Sequence, residues 1–103
     1  MYYVYLLCCA DRTLYTGLAT DVKRRLQEHQ LSSKGARYTR SRRPVELLAV
    51  SSPLPDRRAA ARLEYALKKK TRAQKLNWVI HLKREHSAFI ENDVLNRLLG
   101  IDD

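Results

Sequence analysis

The first thirty residues, MYYVYLLCCADRTLYTGLATDVKRRLQEHQ, leave few folds open. Tyr2 to Cys9 and Thr13 to Ala19 are rich in aromatic, β-branched and apolar residues and read as strands. Ala10-Asp11-Arg12 between them is a polar interruption of hairpin length. Parity constrains this hairpin: Tyr5 and Tyr15 share a sheet face only across a loop with an odd number of residues, or with a bulge between them. Gly17 inside the second strand marks either a bulge or the close approach of another backbone or a ligand. Thr20 is the expected N-cap of a helix that runs to about Gln30, with Asp21 in its first turn. Val22, Leu26, Arg25 and His29 share one side of that helix, so Arg25 belongs at the rim of its buried face.

The remaining chain supplies the elements such a hairpin packs against. Leu31 to Pro44 reads as a loop holding Lys34, Arg37, Arg40, Arg42 and Arg43 around Tyr38. Basic residues about one aromatic suit a segment that tracks a phosphate backbone and stacks a base, and a solvated loop would have the same composition. Val45 to Val50 is a third strand, apolar enough to be central or covered on both faces. After Pro53 and Pro55, Asp56 to Lys70 is helical, with Ala60, Leu63 and Leu67 inward and Glu64 at the edge of that stripe. Thr71-x-x-Gln74 opens another helix by a capping box, with Leu76, Val79, Ile80 and Lys83 along one side and Trp78 and His81 off it. Asp93 to Leu99 is a short amphipathic helix stopped by Gly100, which either covers the domain or pairs with a second copy. The expected fold is α+β: a small antiparallel three-stranded sheet flanked by helices, in the order β-β-α-β-α-α, plus a helical tail. Residues 1–82 form the core domain in this reading and 83–103 an extension packed on or near it.

Charge narrows the function. Twenty Lys and Arg against eleven Asp and Glu give +9 over 103 residues. A polyanionic partner follows, nucleic acid before an anionic membrane. Cys8 and Cys9 are neighbours on a strand and point to opposite faces, so they read as reduced apolar residues. His81 and His86 lack zinc-ligand spacing and read as surface residues. No apolar run approaches a membrane span, and the N-terminus lacks the basic and hydrophobic regions of a signal peptide, so a cytoplasmic location is expected.

Several of these residues together resemble the GIY-YIG nuclease family, most of all its small stand-alone bacterial members. Tyr3-Val4-Tyr5 is similar to the first motif and Tyr15-Thr16-Gly17 to the second, with ten positions between the two motif tyrosines. Arg25 falls where the family has its catalytic arginine, and Glu64, on a helix after the third strand, where it has its metal-binding glutamate. The resemblance spans about Tyr2 to Leu82. Tyr3 replaces a glycine, Thr16 an isoleucine, and Leu18 stands where excision-repair relatives carry a lysine.

That resemblance implies a divalent-metal-dependent endonuclease acting on DNA in repair or recombination, with RNA left open as a partner. It implies one ion, Mg²⁺ or Mn²⁺, held by Glu64 together with water and phosphate oxygens. Arg25 would grip the scissile phosphate, and Tyr5 or Tyr15 would position the attacking water. His29 would carry a proton or touch a phosphate; the alternative is a cation facing the helix dipole. Lys68 would contact the backbone or hold Glu64, and Lys34, Arg37, Tyr38, Arg40, Arg42 and Arg43 would bind the nucleic acid. The competing reading is a catalytically silent nucleic-acid-binding module working with a partner protein that supplies targeting. A third is a protein that dimerises through its C-terminal helix.

Overall fold

The computed structural model describes residues 1–85 and 89–100. Its centre is the N-terminal hairpin. Strands β1 (Tyr3–Cys8) and β2 (Leu14–Ala19) pair antiparallel, Tyr5 opposite Gly17 and Leu7 opposite Tyr15. The loop has three residues, so the parity condition is met and both tyrosines lie on one face. Cys9 N–H donates to the Thr13 carbonyl and Arg12 N–H to the Cys9 carbonyl, with Arg12 at a φ of 67°. Asp11 accepts from the Thr13 amide and hydroxyl and holds the turn.

Strand β3 (Glu46–Val50) pairs with the other side of β1, and the register shifts between Leu6 and Leu7. The shift sends Leu48 and Ala49 to one core cluster and Val45, Leu47 and Val50 to the other, so the strand is covered on both faces. A fourth strand, β4 (Phe89–Ile90), lies beyond β3 and makes the order β2-β1-β3-β4, one strand more than expected. Two residues are too few to carry a period-two signal, which is why the sequence does not show it.

Helices cover the two faces. Helix α1 (Val22–Leu31) packs Val22 and Leu26 beside Tyr5, Leu7 and Tyr15. Its N-cap is Asp21, which accepts the Arg24 amide, rather than Thr20. Within the expected loop lies one further helical turn, α2 (Arg37–Arg40). On the opposite face, α3 (Arg57–Lys68) buries Ala60 and Leu67 against Val4. Asp56 caps it by accepting the Ala59 amide, so Pro55 stands outside the helix. The capping box at α4 (Arg72–Glu85) closes reciprocally: Thr71 N–H donates to Gln74 Oε1 and Gln74 N–H to Thr71 Oγ1. Leu76 and Val79 are buried there, and Trp78 is half-buried and joins two core clusters. His81 is exposed; His86 and the side chain of Lys83 lie outside the described residues. Helix α5 (Asn92–Leu99) ends at Gly100, whose φ is 75°. Its Val94 and Leu95 join Leu6, Leu48 and Val79 in one core, which leaves Leu99 as its exposed apolar residue. Cys8 and Cys9 are buried, unbridged, and fall in opposite clusters.

Gly17 does not mark a bulge. The β1–β2 register runs through it unbroken. A Cβ there would meet the hydroxyl end of the Tyr5 ring, lying 2.5 Å from Cζ. The missing side chain is the space into which Tyr5 fits. Gly17→Ala is therefore expected to cost about 1–3 kcal/mol by overpacking, and to shift the Tyr5 ring signals in an NMR spectrum. A variant as stable as the parent would show that the ring can move aside freely.

Candidate active site

Tyr5, Tyr15, Arg25, His29 and Glu64 come from four elements; Tyr5 and Tyr15 pack about His29, and the charges of Arg25 and Glu64 are felt at Tyr5. Tyr5 is the hub. It is 1 % exposed, and its hydroxyl sits 2.7 Å from His29 Nε2. Burial first, and Tyr15 second, push the Tyr5 hydroxyl far above the usual tyrosine pKa; Arg25 beside it opposes the rise and Glu64 adds to it. Three of the groups that the sequence singles out, Tyr15, Arg25 and Glu64, thus act electrostatically on one hydroxyl. Glu64 is half-buried on α3, with Lys68 Nζ 3.5 Å from Oε2. That ion pair is one of the two contacts expected for Lys68.

His29 is different from what its sequence position suggests. It is completely buried, so it neither faces the helix dipole as a cation nor touches a phosphate directly. Burial and the nearby Arg25 lower its pKa to about 4, so the ring is neutral at pH 7. Its Nδ1 lies 2.8 Å from Thr39 Oγ1, and Thr39 Oγ1 donates at 2.9 Å to the Ala36 carbonyl. A carbonyl only accepts, so the one hydroxyl hydrogen of Thr39 is committed to it. Nδ1 must then carry the ring proton, and Nε2 accepts from Tyr5. The Ala36 amide also approaches Nδ1, at 3.4 Å, and would favour the opposite tautomer. The two shorter bonds decide. Thr39 was not singled out in the sequence, because its partner lies ten positions away and on another helix.

Arg25 is held from two sides. Its Nη1 donates to Glu28 Oε1 at 2.8 Å and to the Lys34 carbonyl at 2.9 Å. Burial works against its charge, but Glu28 and Tyr5 keep its pKa above the ordinary arginine value. Its side chain is 30 % exposed, so the guanidinium is oriented and still open to solvent. Tyr15 is half-buried, edge-on to His29 with ring centroids 5.2 Å apart. Tyr38 stacks on Tyr15 at 5.9 Å and 29°, and Arg42 lies 3.8 Å over Tyr38. Tyr38 therefore packs onto the site, with 37 % of its surface left exposed.

The basic segment divides. Arg43 donates from Nε to the His29 carbonyl at 2.6 Å, and from Nη2 to the carbonyls of Glu28 and Ser32. It caps the C-terminus of α1 and is a structural residue, not the nucleic-acid contact expected for it. Arg42 is largely committed too, bonded to Asp11 Oδ2 and the Tyr38 carbonyl. Lys34, Arg37 and Arg40 are exposed. Gly35 allows this packing, because a Cβ there would lie 2.6 Å from the Glu28 carbonyl oxygen. Leu18 packs toward Val4 and supplies no cation.

Among the described residues no group of three or more His, Cys, Asp or Glu could hold a metal ion. Glu64 offers one carboxylate. That set fits only a hard, largely hydrated ion that takes the rest of its oxygens from water and substrate. Among those residues, too, no helix is long and apolar enough to cross a membrane.

Residues 1–77 match the GIY-YIG catalytic domain. The chain is 46 % identical over 87 residues to a UPF0213 protein of Desulfotalea psychrophila, covering 84 % of this chain and 78 % of that one. It is 49 % identical over 83 residues to a UPF0213 protein of Streptococcus agalactiae, covering 81 % and 92 %. A UPF0213 protein of Bacillus halodurans, solved by solution NMR, is 44 % identical and matches with a TM-score of 0.49 over 81 % of this chain and 86 % of that one.

Two stability measurements follow from this geometry. His29 binds a proton more readily in the unfolded chain than in the fold, so stability is intact above pH 6.5 and falls as pH drops toward 4. The loss is about 3 kcal/mol, and His29→Gln should flatten that part of a pH series of urea melts. Arg43→Ala should cost about 1.5–3 kcal/mol by leaving helix carbonyls unbonded. Arg40→Ala should be nearly neutral. Equal effects of the two would remove the capping role.

Proposed function

Because this chain belongs to the GIY-YIG catalytic-domain family, a nuclease-type domain, we propose that it is a divalent-metal-dependent endonuclease cutting phosphodiester bonds in DNA, in repair or recombination. The observation that carries the reading is the packing of Tyr5 and Tyr15 about His29 on the helix that also carries the oriented, solvent-open Arg25; the charge of Glu64 is felt at the Tyr5 hydroxyl. A net charge of +9 favours the polyanionic substrate, and the reading places the enzyme in the cytoplasm. The nuclease unit is residues 1–82, with 83–103 an extension.

Each side chain then has a task. Arg25, oriented by Glu28 and the Lys34 carbonyl, grips two oxygens of the scissile phosphate and neutralises charge as it develops. Glu64 would hold Mg²⁺ or Mn²⁺ through one carboxylate. That ion, when bound, supplies Lewis-acid stabilisation of the phosphate and lowers the pKa of its water. Tyr5 keeps its proton, because burial holds its pKa high, and donates it to His29 Nε2. It acts as a positioning residue that holds Arg25 and α1 in register. Tyr15, half-buried, is the tyrosine open enough to orient the attacking water and take its proton. Lys34, Arg37 and Arg40 bind the flanking backbone by charge, and Tyr38 offers a stacking edge.

Arg25→Ala and Glu64→Ala are each expected to lower cleavage of branched, nicked or linear DNA at least about 100-fold while leaving the far-UV CD spectrum unchanged. EDTA should stop the wild type. A wild-type protein that binds these DNAs without cutting any of them, in either metal, would favour the silent binding module.

A further inference from the structure

A second anion site adjoins the first. Where the edge strand β2, the start of α1 and the start of α3 come together there is a cleft of about 310 Å³. Leu18 and Ala19 line it from β2, Arg24 and Arg25 from α1, Arg57 from α3, and Tyr2 from the N-terminus. Asp21 also borders it, but its carboxylate is engaged in capping α1.

Cations outnumber anions along this cleft. Helix N-termini carry a positive partial charge and are stabilised by carboxylates, which Asp21 and Asp56 supply as the N-caps of α1 and α3. Both carboxylates are engaged with backbone amides. Beyond the caps neither first turn has an acidic residue, and α1 begins Val22-Lys23-Arg24-Arg25 and α3 begins Arg57-Arg58. Arg24, Arg25 and Arg57 thus line the cleft against the single carboxylate of Asp21. Among the described residues neither Arg24 nor Arg57 forms an ion pair, whereas Arg25 and Arg42 both do. An anion in the cleft would pair with both side chains together.

We propose that this cleft binds the nucleic-acid strand one nucleotide along from the bond to be cut, with Arg24 and Arg57 on its phosphate and Tyr2 against its sugar or base. The proposal rests on the nuclease reading for the identity of the strand. Arg25 belongs to both places, lining the cleft and touching the Lys34 carbonyl beside the basic segment. The bound strand therefore passes over Arg25, with Arg24 and Arg57 on one side and Lys34, Arg37 and Arg40 on the other. The first group sits on regular helices, the second largely on α2 and its approach.

The test is the salt dependence of binding, read by fluorescence anisotropy with a labelled DNA duplex and a labelled single strand in the full chain. Arg24→Ala/Arg57→Ala should weaken binding at least tenfold and lower the log–log salt slope by about 2, near 1 per phosphate contact. Arg24→Lys/Arg57→Lys should restore the slope. Arg58→Ala/Arg62→Ala, exposed on α3 outside the cleft, should change the slope by less than half as much. The melting temperature of the Arg24→Ala/Arg57→Ala variant should stay level, since neither side chain forms an ion pair among the described residues; a fall would mean that the arginines serve the fold. A slope matching that of the Arg58/Arg62 control would overturn the proposal even if the wild type cleaves DNA. A lost slope in a protein that never cleaves would sustain the cleft and remove the nuclease.

Discussion

The candidate site hangs from one hydrogen bond, Tyr5 Oη to His29 Nε2 at 2.7 Å. It crosses from the middle of the sheet to α1, and both partners are out of water. Breaking such a bond leaves two desolvated polar groups, at a cost of about 1–3 kcal/mol each. The bond also sets where everything else stands. It holds the Tyr5 ring over the gap at Gly17. It holds the imidazole edge-on to Tyr15, on which Tyr38 and then Arg42 are stacked. A side chain at Gly17 or a charge on His29 would disturb that stack from its base.

The skeleton of this arrangement can be read along the chain because its determinants are local. A three-residue hairpin forces Tyr5 and Tyr15 to one face, the spacing of Thr71 and Gln74 closes a capping box, and Gly100 ends α5 in the left-handed region. Each involves groups a few residues apart. What escapes a sequence reading is made of partners far apart. Arg43 looks like one more cation in a basic loop until its bonds to carbonyls 11 to 15 residues earlier are seen. Thr39 looks like a loop hydroxyl until α2 brings it under His29. His29 at the end of a polar helix suggests an exposed cation, because helical spacing gives the side it lies on but not what closes over that side. Here Gly35 and the turn at Ala36 close over it.

Charge is distributed by the same logic. The net +9 is not one uniform surface. Arg42 and Arg43 are turned inward, onto Asp11, Tyr38 and the carbonyls of α1, and serve as struts. Arg25 is a strut left open to solvent: its pairing with Glu28 fixes the guanidinium in a partly dry place without covering it. Neutrality of His29 matters for the same reason. A second cation between Arg25 and Arg43 would repel both, and burial together with Arg25 keeps the proton off. At the Tyr5 hydroxyl the charges of Arg25 and Glu64 then oppose each other.

The position of the site follows from how little core a chain of 103 residues can build. Both faces of the sheet are consumed by packing: α1 covers the Tyr5 side, and α3, α4 and α5 cover the side of Leu6 and Leu48. β2 is the edge strand, and the starts of α1 and α3 come together beside it. Chemistry placed there draws on helices from both layers without opening either core. The arrangement carries one visible cost on the covered face. Thr16, across from Leu6, is buried with a hydroxyl oxygen that has no hydrogen-bond partner among the described residues. One strand further from the edge, a side chain reaching for substrate would have to cross a packed helix. At the edge, the charges of Arg25 and Glu64 are felt at the same hydroxyl from opposite layers.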